Sequence, residues 1–278
     1  MLSSLLSVPL SHAVELRGYQ LAQEACSFET LLFMIVLLTI VRWFLTIQRE
    51  CPMDRKEKQQ TSRYYSGSRA RRYNRRWHAY TQKTLGVAMA MIDVAALQRV
   101  REQLGRPARV LDVACGTVLL LKRLLERVPG MEAYGIDASE DMLAQAREAL
   151  KDWPEVRLER AEVNGDGIAN VPYPPNTFDL ITCTNALHDM ADPVALLSRL
   201  GRRLSPGGQL MVEDFARRRP AWLWAVFEWL MQWIEGGHGR AYMLAEARAL
   251  CAGAGLHVVC EQVFTINWFW HGWVLRAG

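Results

Sequence analysis

Arg109-Val-Leu-Asp-Val-Ala-Cys-Gly-Thr-Val118, continued by Leu119-Leu-Leu-Lys-Arg-Leu-Leu125, is the stretch that decides the fold of this chain. A β-branched apolar run ending in an acid, a loop of small residues and leucines at helical spacing predict a strand, a tight turn and a helix. Together they open a βαβ unit. Nineteen residues after Val118, Ala133-Tyr-Gly-Ile-Asp137 ends a second short apolar run in an acid, where a doubly wound sheet holds a ribose. A dinucleotide fingerprint needs glycine at 114, 116 and 119. Ala114, Gly116 and Leu119 supply one of the three, which argues against a nicotinamide cofactor.

The same residues resemble the first motif of class I S-adenosylmethionine-dependent methyltransferases, acid-x-Gly-x-Gly-x-Gly, read here as Asp112, Ala114, Gly116 and Val118. Three further blocks carry the resemblance in the right order. Ser139-Glu-Asp-Met-Leu-Ala-Gln-Ala looks like the second helix, with a polar cap and acids in its first turn. Residues 171–190 resemble the loop, fourth strand and following turn, and Leu197 to Asp214 the fourth helix, Pro-Gly-Gly turn and fifth strand. The resemblance covers roughly residues 107–215. It implies a Rossmann-like α/β sheet of seven strands, order 3-2-1-4-5-7-6 with the last strand reversed, helices on both faces, and S-adenosyl-L-methionine as cofactor. It places Asp112, Ala114, Gly116, Val118, Asp137 and Ala138 at the cofactor. Past the third strand, VRLERAE, it implies an acid at the adenine, Glu162 first and Asp166 second.

Val118 departs from the pattern, since glycine is usual there. A β-branched residue held at positive φ costs ~1–3 kcal/mol, so a Val118→Gly variant is expected to bind cofactor about ten-fold more tightly. The alternative is that Val118 starts the helix with its side chain turned into the core.

Half of the 278 residues are hydrophobic, enough for one α/β domain with extensions. Six widely spaced cysteines with no C-x-x-C pair predict reduced thiols, with neither a disulfide framework nor a metal site. Residues 1–29 read as an N-terminal tail. Residues 30–47, TLLFMIVLLTIVRWFLTI, form an apolar run with Arg42 as its single charge. At ~1.5 Å per residue such a helix spans ~27 Å, close to a ~30 Å hydrocarbon core. A transmembrane anchor is the expectation.

Residues 48–83 carry +8, against −1 for residues 1–47 and −3 for residues 84–278. A basic flank on this side predicts a single-pass protein whose catalytic domain faces the cytosol, with the flank on anionic lipid headgroups. Arginines interleaved with aromatics also suit single-stranded nucleic acid, but arginine covers lipid phosphates as well, and nucleic acid is the weaker reading. By the resemblance this region also supplies an N-terminal helix over the cofactor, with Tyr73, a substrate-contact candidate, and Asn74 on it. From Thr81 to Leu104 the apolar spacing predicts a helix packed on the first strand.

Residues 84–278 are the predicted methyltransferase domain. At the end of its fourth strand, Thr184-Asn-Ala-Leu-His-Asp189 lacks the Pro-Pro-aromatic sequence with which enzymes methylating nucleic-acid amines hold a base. His188 is the candidate general base toward a phenol or other weak acid, because imidazole ordinarily titrates near neutral pH. Asn185 is expected at the methionine end. A tryptophan-rich insertion, 220–240, is apolar almost all round, with Trp222, Val226, Trp229 and Trp233 on one helical face. In similar enzymes the insertion after strand five roofs the acceptor, so Trp229, Trp233 and His238 are substrate candidates. The chain is therefore expected to methylate carbon, oxygen or sulfur of a lipophilic small molecule, in the style of the quinone-biosynthesis methyltransferases. Two alternatives remain open: a membrane-tethered, catalytically weak binding protein, and an RNA or protein methyltransferase.

Overall fold

Val110, Leu111 and Val113 have no exposed surface, as a strand covered on both faces requires. In the computed structural model, which describes residues 65–163, 173–217, 224, 240–267 and 270–278, they form β1 (Arg109–Val113). Around it stand β2 (Glu132–Asp137), β3 (Arg157–Arg160), β4 (Phe178–Thr184), β5 (Leu204–Phe215), β6 (Val258–Thr265) and β7 (His271–Ala277). The sheet order is β3-β2-β1-β4-β5-β7-β6. β7 pairs antiparallel with both neighbours, while β1 to β5 pair in parallel. This is the expected class I methyltransferase sheet. The chain builds outward from β1 to β3 and then returns to β4 on the other side, so a crevice opens above the carboxyl ends of β1 and β4.

Seven described helices cover the faces. α1 (Gly67–Arg76), α2 (His78–Met91), α3 (Val94–Leu104), α4 (Leu119–Arg127) and α5 (Glu140–Ala149) precede β3, and α6 (Pro193–Gly201) and α7 (Leu244–Gly253) follow β4 and β5. Leu85, Leu97, Leu121 and Leu143 from α2 to α5 share one core with Val110, Leu180 and Met211. Leu196, Leu200 and Cys251 from α6 and α7 share the other with Leu111, Ile181, Val212 and Trp273. Caps fix where these helices begin. Ser139 Oγ accepts from Met142 N, with Glu140 and Asp141 in the first turn of α5. Asp192 accepts from Ala195 N beside the Pro193 that opens α6.

One expectation is corrected here. The helical spacing from Thr81 to Leu104 is broken into α2 and α3, because Ile92 is extended and Asp93 caps Ala96 N at 2.9 Å. Gln209 of β5 clamps the break, its amide accepting from Asp93 N at 3.0 Å and donating to Asp93 O at 3.1 Å.

The amino end of the sheet is closed by Asp179. It accepts from Arg106 Nη1 and Nη2 at 2.7 and 2.9 Å, from Arg109 N at 2.9 Å and from Ser205 Oγ at 2.7 Å. Burial opposes ionisation of Asp179, yet the guanidinium, amide and hydroxyl donors outweigh it and hold the carboxyl below its usual range. Gly208 completes this end, since a Cβ there would lie 2.8 Å from Phe178 O.

Among the described residues no helix is long and apolar enough to cross a membrane. The expected anchor 30–47, and Asp166, Trp229, Trp233 and His238, lie outside the described residues.

Candidate functional site

The carboxyl ends of β1 and β4 each turn sharply, and backbone strain gathers there. Ala114, Gly116, Val118 and Asn185 all have positive φ, between 52° and 57°. Three of these four carry a Cβ and pay for the conformation, a pattern typical of sites where geometry is held for a ligand. Asp137, at the end of β2, ties the first turn down: its Oδ2 accepts from Gly116 N at 2.9 Å and its Oδ1 from Ser139 N at 2.8 Å.

These turns wall a cleft that is partly open to solvent. Of the residues singled out in the sequence, Tyr73, Ala114, Gly116, Asp137, Ala138, Glu162 and Asn185 line it. α1 lies over it: Ser139 Oγ donates to Tyr65 O at 2.5 Å, Gly67 N donates to Asp141 Oδ2 at 2.7 Å, and Thr117 Oγ1 donates to Asn74 Oδ1 at 2.6 Å. From α2, Tyr80 reaches the β4 turn and donates to Asn185 Oδ1 at 2.6 Å.

Three candidates sit behind the wall rather than in it. Asp112 is buried beneath the first turn, where Thr182 Oγ1 donates to it at 2.6 Å. Burial raises its pKa to about 7, Thr182 opposing and Asp137 adding to the rise. Val118 keeps the left-handed conformation at the start of α4, but its side chain is fully buried in the hydrophobic core with Leu121 and Leu124. The strain foreseen from the sequence is present, and the side chain is turned into the core as the alternative reading had it.

His188 is buried in a short 3₁₀ turn (Leu187–Asp189). Its Nδ1 is 2.7 Å from Asp214 Oδ1, Asp214 Oδ2 accepts from His188 N at 2.8 Å, and Nε2 lies 3.5 Å from Asp189. The premise that this imidazole titrates near neutrality is corrected. Burial alone would lower its pKa, but the charges of Asp214 and Asp189 overcome that and hold it up to about 10. At neutral pH it is an imidazolium, so it has no lone pair with which to take a proton.

Sequence reasoning missed Tyr80 and the pair Glu213–Asp214. The signal was available, because Leu210-Met-Val-Glu-Asp214 is an apolar run ending in acids, the pattern that marked Asp112 and Asp137. Glu213 has no exposed surface, and neither of its carboxyl oxygens has a hydrogen-bond partner. Burial, with Asp214 adding and His188 opposing, raises its pKa well above the usual carboxyl value. From Tyr80 a row of rings continues: Tyr80 to Phe215 at 5.2 Å, Phe215 to Trp270 at 5.2 Å and Trp270 to Trp224 at 5.9 Å between centroids.

Residues 111–210 match the family profile described as a methyltransferase domain. The chain is 40% identical over 110 residues to demethylmenaquinone methyltransferase of Thermus thermophilus, covering 39% of this chain and 48% of that one. It is 36% identical over 129 residues to the enzyme of the same name from Deinococcus radiodurans, covering 46% and 52%. The chain thus spans about half the length of these curated relatives. Among solved structures, an S-adenosylmethionine-dependent methyltransferase of Mesorhizobium loti superposes with a TM-score of 0.53 at 20% identity, over 69% of this chain and 95% of that one. That likeness speaks to the fold.

Proposed function

From a catalytic domain that belongs to the class I S-adenosylmethionine-dependent methyltransferases, we propose that this chain transfers a methyl group to carbon, oxygen or sulfur of a lipophilic small molecule at a membrane surface. The cleft fits the cofactor of that family. Asp137, Glu162, Tyr73 and Asn185 all line it, and the proposed roles are Asp137 at the ribose hydroxyls, Glu162 at the adenine amino group, and Tyr73 and Asn185 at the methionine end. When bound, the cofactor supplies an electrophilic methyl on a sulfonium. The residues of the chain then act by position: the strained turns at Ala114 and Asn185 hold their backbone groups fixed, and α1 with Tyr73 excludes water. His188, as an imidazolium between Asp214 and Asp189, braces the β4 turn and takes no proton.

The observation that carries the lipophilic reading is the ring row from Tyr80 through Phe215 and Trp270 to Trp224, which begins at the β4 turn of the cleft. Its last ring, Trp224, belongs to the tryptophan-rich segment 220–240, where Trp229, Trp233 and His238 are proposed to close over the acceptor. The names of the relatives agree with a lipophilic acceptor. Residues 30–47 are proposed as a single membrane anchor, with the +8 segment 48–83 on anionic lipid and residues 84–278 on the cytosolic side.

The test is transfer of labelled methyl from S-adenosylmethionine by the full chain in membranes, offered a lipid extract, total protein and RNA. Label in the lipid fraction is expected. Label confined to protein or RNA contradicts the proposal.

A further inference from the structure

Glu213 is a buried acid that the fold does not use. Along β5 the side chains alternate, so Asp214 turns to His188 on one face while Glu213 shares the other with Met211, on the side covered by α2. On that face, at the carboxyl edge, it is in register with Thr184 of β4, and its backbone carbonyl accepts from Asn185 N at 2.9 Å. Thr184 and Asn185 both line the cleft. So does Tyr73, whose hydroxyl pKa is pushed up to about 12, by burial first and then by the charges of Asp137 and Glu213. Tyr80 is raised as well, by burial first and then by Glu213 ahead of Asp214. The Glu213 carboxyl therefore lies near the two tyrosines, on the strand directly beside the Thr184 and Asn185 that line the cleft. Both tyrosine hydroxyls are neutral there, and Tyr80 spends its proton on Asn185. No described group donates to Glu213.

Such an acid is costly unless something arrives to pair with it. Resting on the proposed cofactor, which carries an ammonium and a sulfonium at its methionine end, we propose that Glu213 is the counter-ion for that positive charge and that cofactor binding releases its proton. In the empty cleft the Oε–H bond is intact. On binding it breaks, the proton passes to buffer, and the carboxylate left behind faces the cation. The charged and titratable groups around it are Asp214 on the same strand, Cys183 on β4, His188 on the β4 turn, Tyr73 on α1 and Tyr80 on α2. Among these, Glu213 combines a carboxyl pushed well above its usual range by burial with two oxygens that have no hydrogen-bond partner.

The experiment is calorimetric titration of the full chain in mild detergent with S-adenosylmethionine and with S-adenosylhomocysteine, at pH 7 in two buffers of different ionisation enthalpy. The native chain is expected to release up to one proton per ligand bound. Glu213→Gln, isosteric with the protonated acid, is expected to bind at least ten-fold more weakly and to release fewer protons. Equal weakening for both ligands assigns the contact to the ammonium, and weakening for S-adenosylmethionine alone assigns it to the sulfonium. Native binding without proton release, with unchanged affinity in the variant, overturns this inference and leaves the proposed function standing. No binding by the native chain overturns both. Proton release is read on the native chain, so the result does not depend on the variant folding.

Discussion

Asp179 and Glu213 are buried acids on adjacent strands at opposite ends of the sheet, and the chain treats them in opposite ways. Asp179 accepts four hydrogen bonds from Arg106, Arg109 and Ser205, whereas Glu213 accepts none through its side chain. One carboxyl is held below its usual range by its donors and the other is pushed well above it by burial. The amino end of the sheet is finished by the chain itself. The carboxyl end, where the positive-φ residues 114, 116, 118 and 185 cluster, is left for a ligand to complete.

The largest effect is expected from breaking the finished end. Asp179→Asn leaves the Arg106 charge without its partner and should cost about 3 kcal/mol in urea or thermal unfolding, with cofactor affinity at the folded protein unchanged. The pH dependence has a definite sign. Because the folded pKa of Asp179 lies below its unfolded value, its stabilisation is complete above about pH 4 and is lost as pH falls through the folded value. A native chain no more acid-sensitive than the Asn variant would break the comparison.

Glu213 should behave in the reverse sense. Its folded pKa is raised, so above the unfolded value of about 4.3 the folded state holds a proton that the unfolded state has lost, and stability falls as pH rises. Glu213→Gln is therefore expected to unfold about 1 kcal/mol later than the native chain at pH 7.5 while binding cofactor more weakly, a trade of stability for function. Lower stability of the variant would show that Glu213 is built into the core.

Much of this was legible in the chain. Acids ending apolar runs located Asp112 and Asp137, and the Pro-Gly-Gly turn located the return into β5, because these signals are local. The break between α2 and α3 was not legible, since Gln209, which holds it open, is 116 residues from Asp93. Nor was the state of His188, because Asp214, the residue that fixes its proton, belongs to another strand. Val118 divides between the two cases. Its positive φ followed from the motif, while the direction of its side chain depended on the helices packed around it.

Two smaller effects sharpen the contrast. Val118→Gly relieves ~1–2 kcal/mol of backbone strain and loses ~2–3 kcal/mol of burial, so a net loss of about 1 kcal/mol is expected, with affinity for S-adenosylhomocysteine within about two-fold of native. Ten-fold tighter binding would mean that the side chain reaches the cleft. The smallest signal belongs to His188. With its folded pKa near 10, its ion pairs stabilise the fold fully below about pH 6.5, and that contribution declines as pH rises toward 10. Methyl transfer should accordingly show no break between pH 6 and 8 that His188→Gln removes. Such a break would restore the general-base role.

Thermal unfolding with and without saturating S-adenosylhomocysteine tests the two ends of the sheet together. At about a hundred-fold excess over its dissociation constant the ligand adds about 2.7 kcal/mol, which raises the Tm of a domain this size by roughly 5–10 °C. Native protein and Asp179→Asn should show the same upward shift from different starting points, while Asp137→Ala, altered only in the cleft, should show little or none. A native Tm that does not move with ligand, or an Asp137→Ala shift equal to the native one, would contradict the assignment of the carboxyl end as the cofactor site.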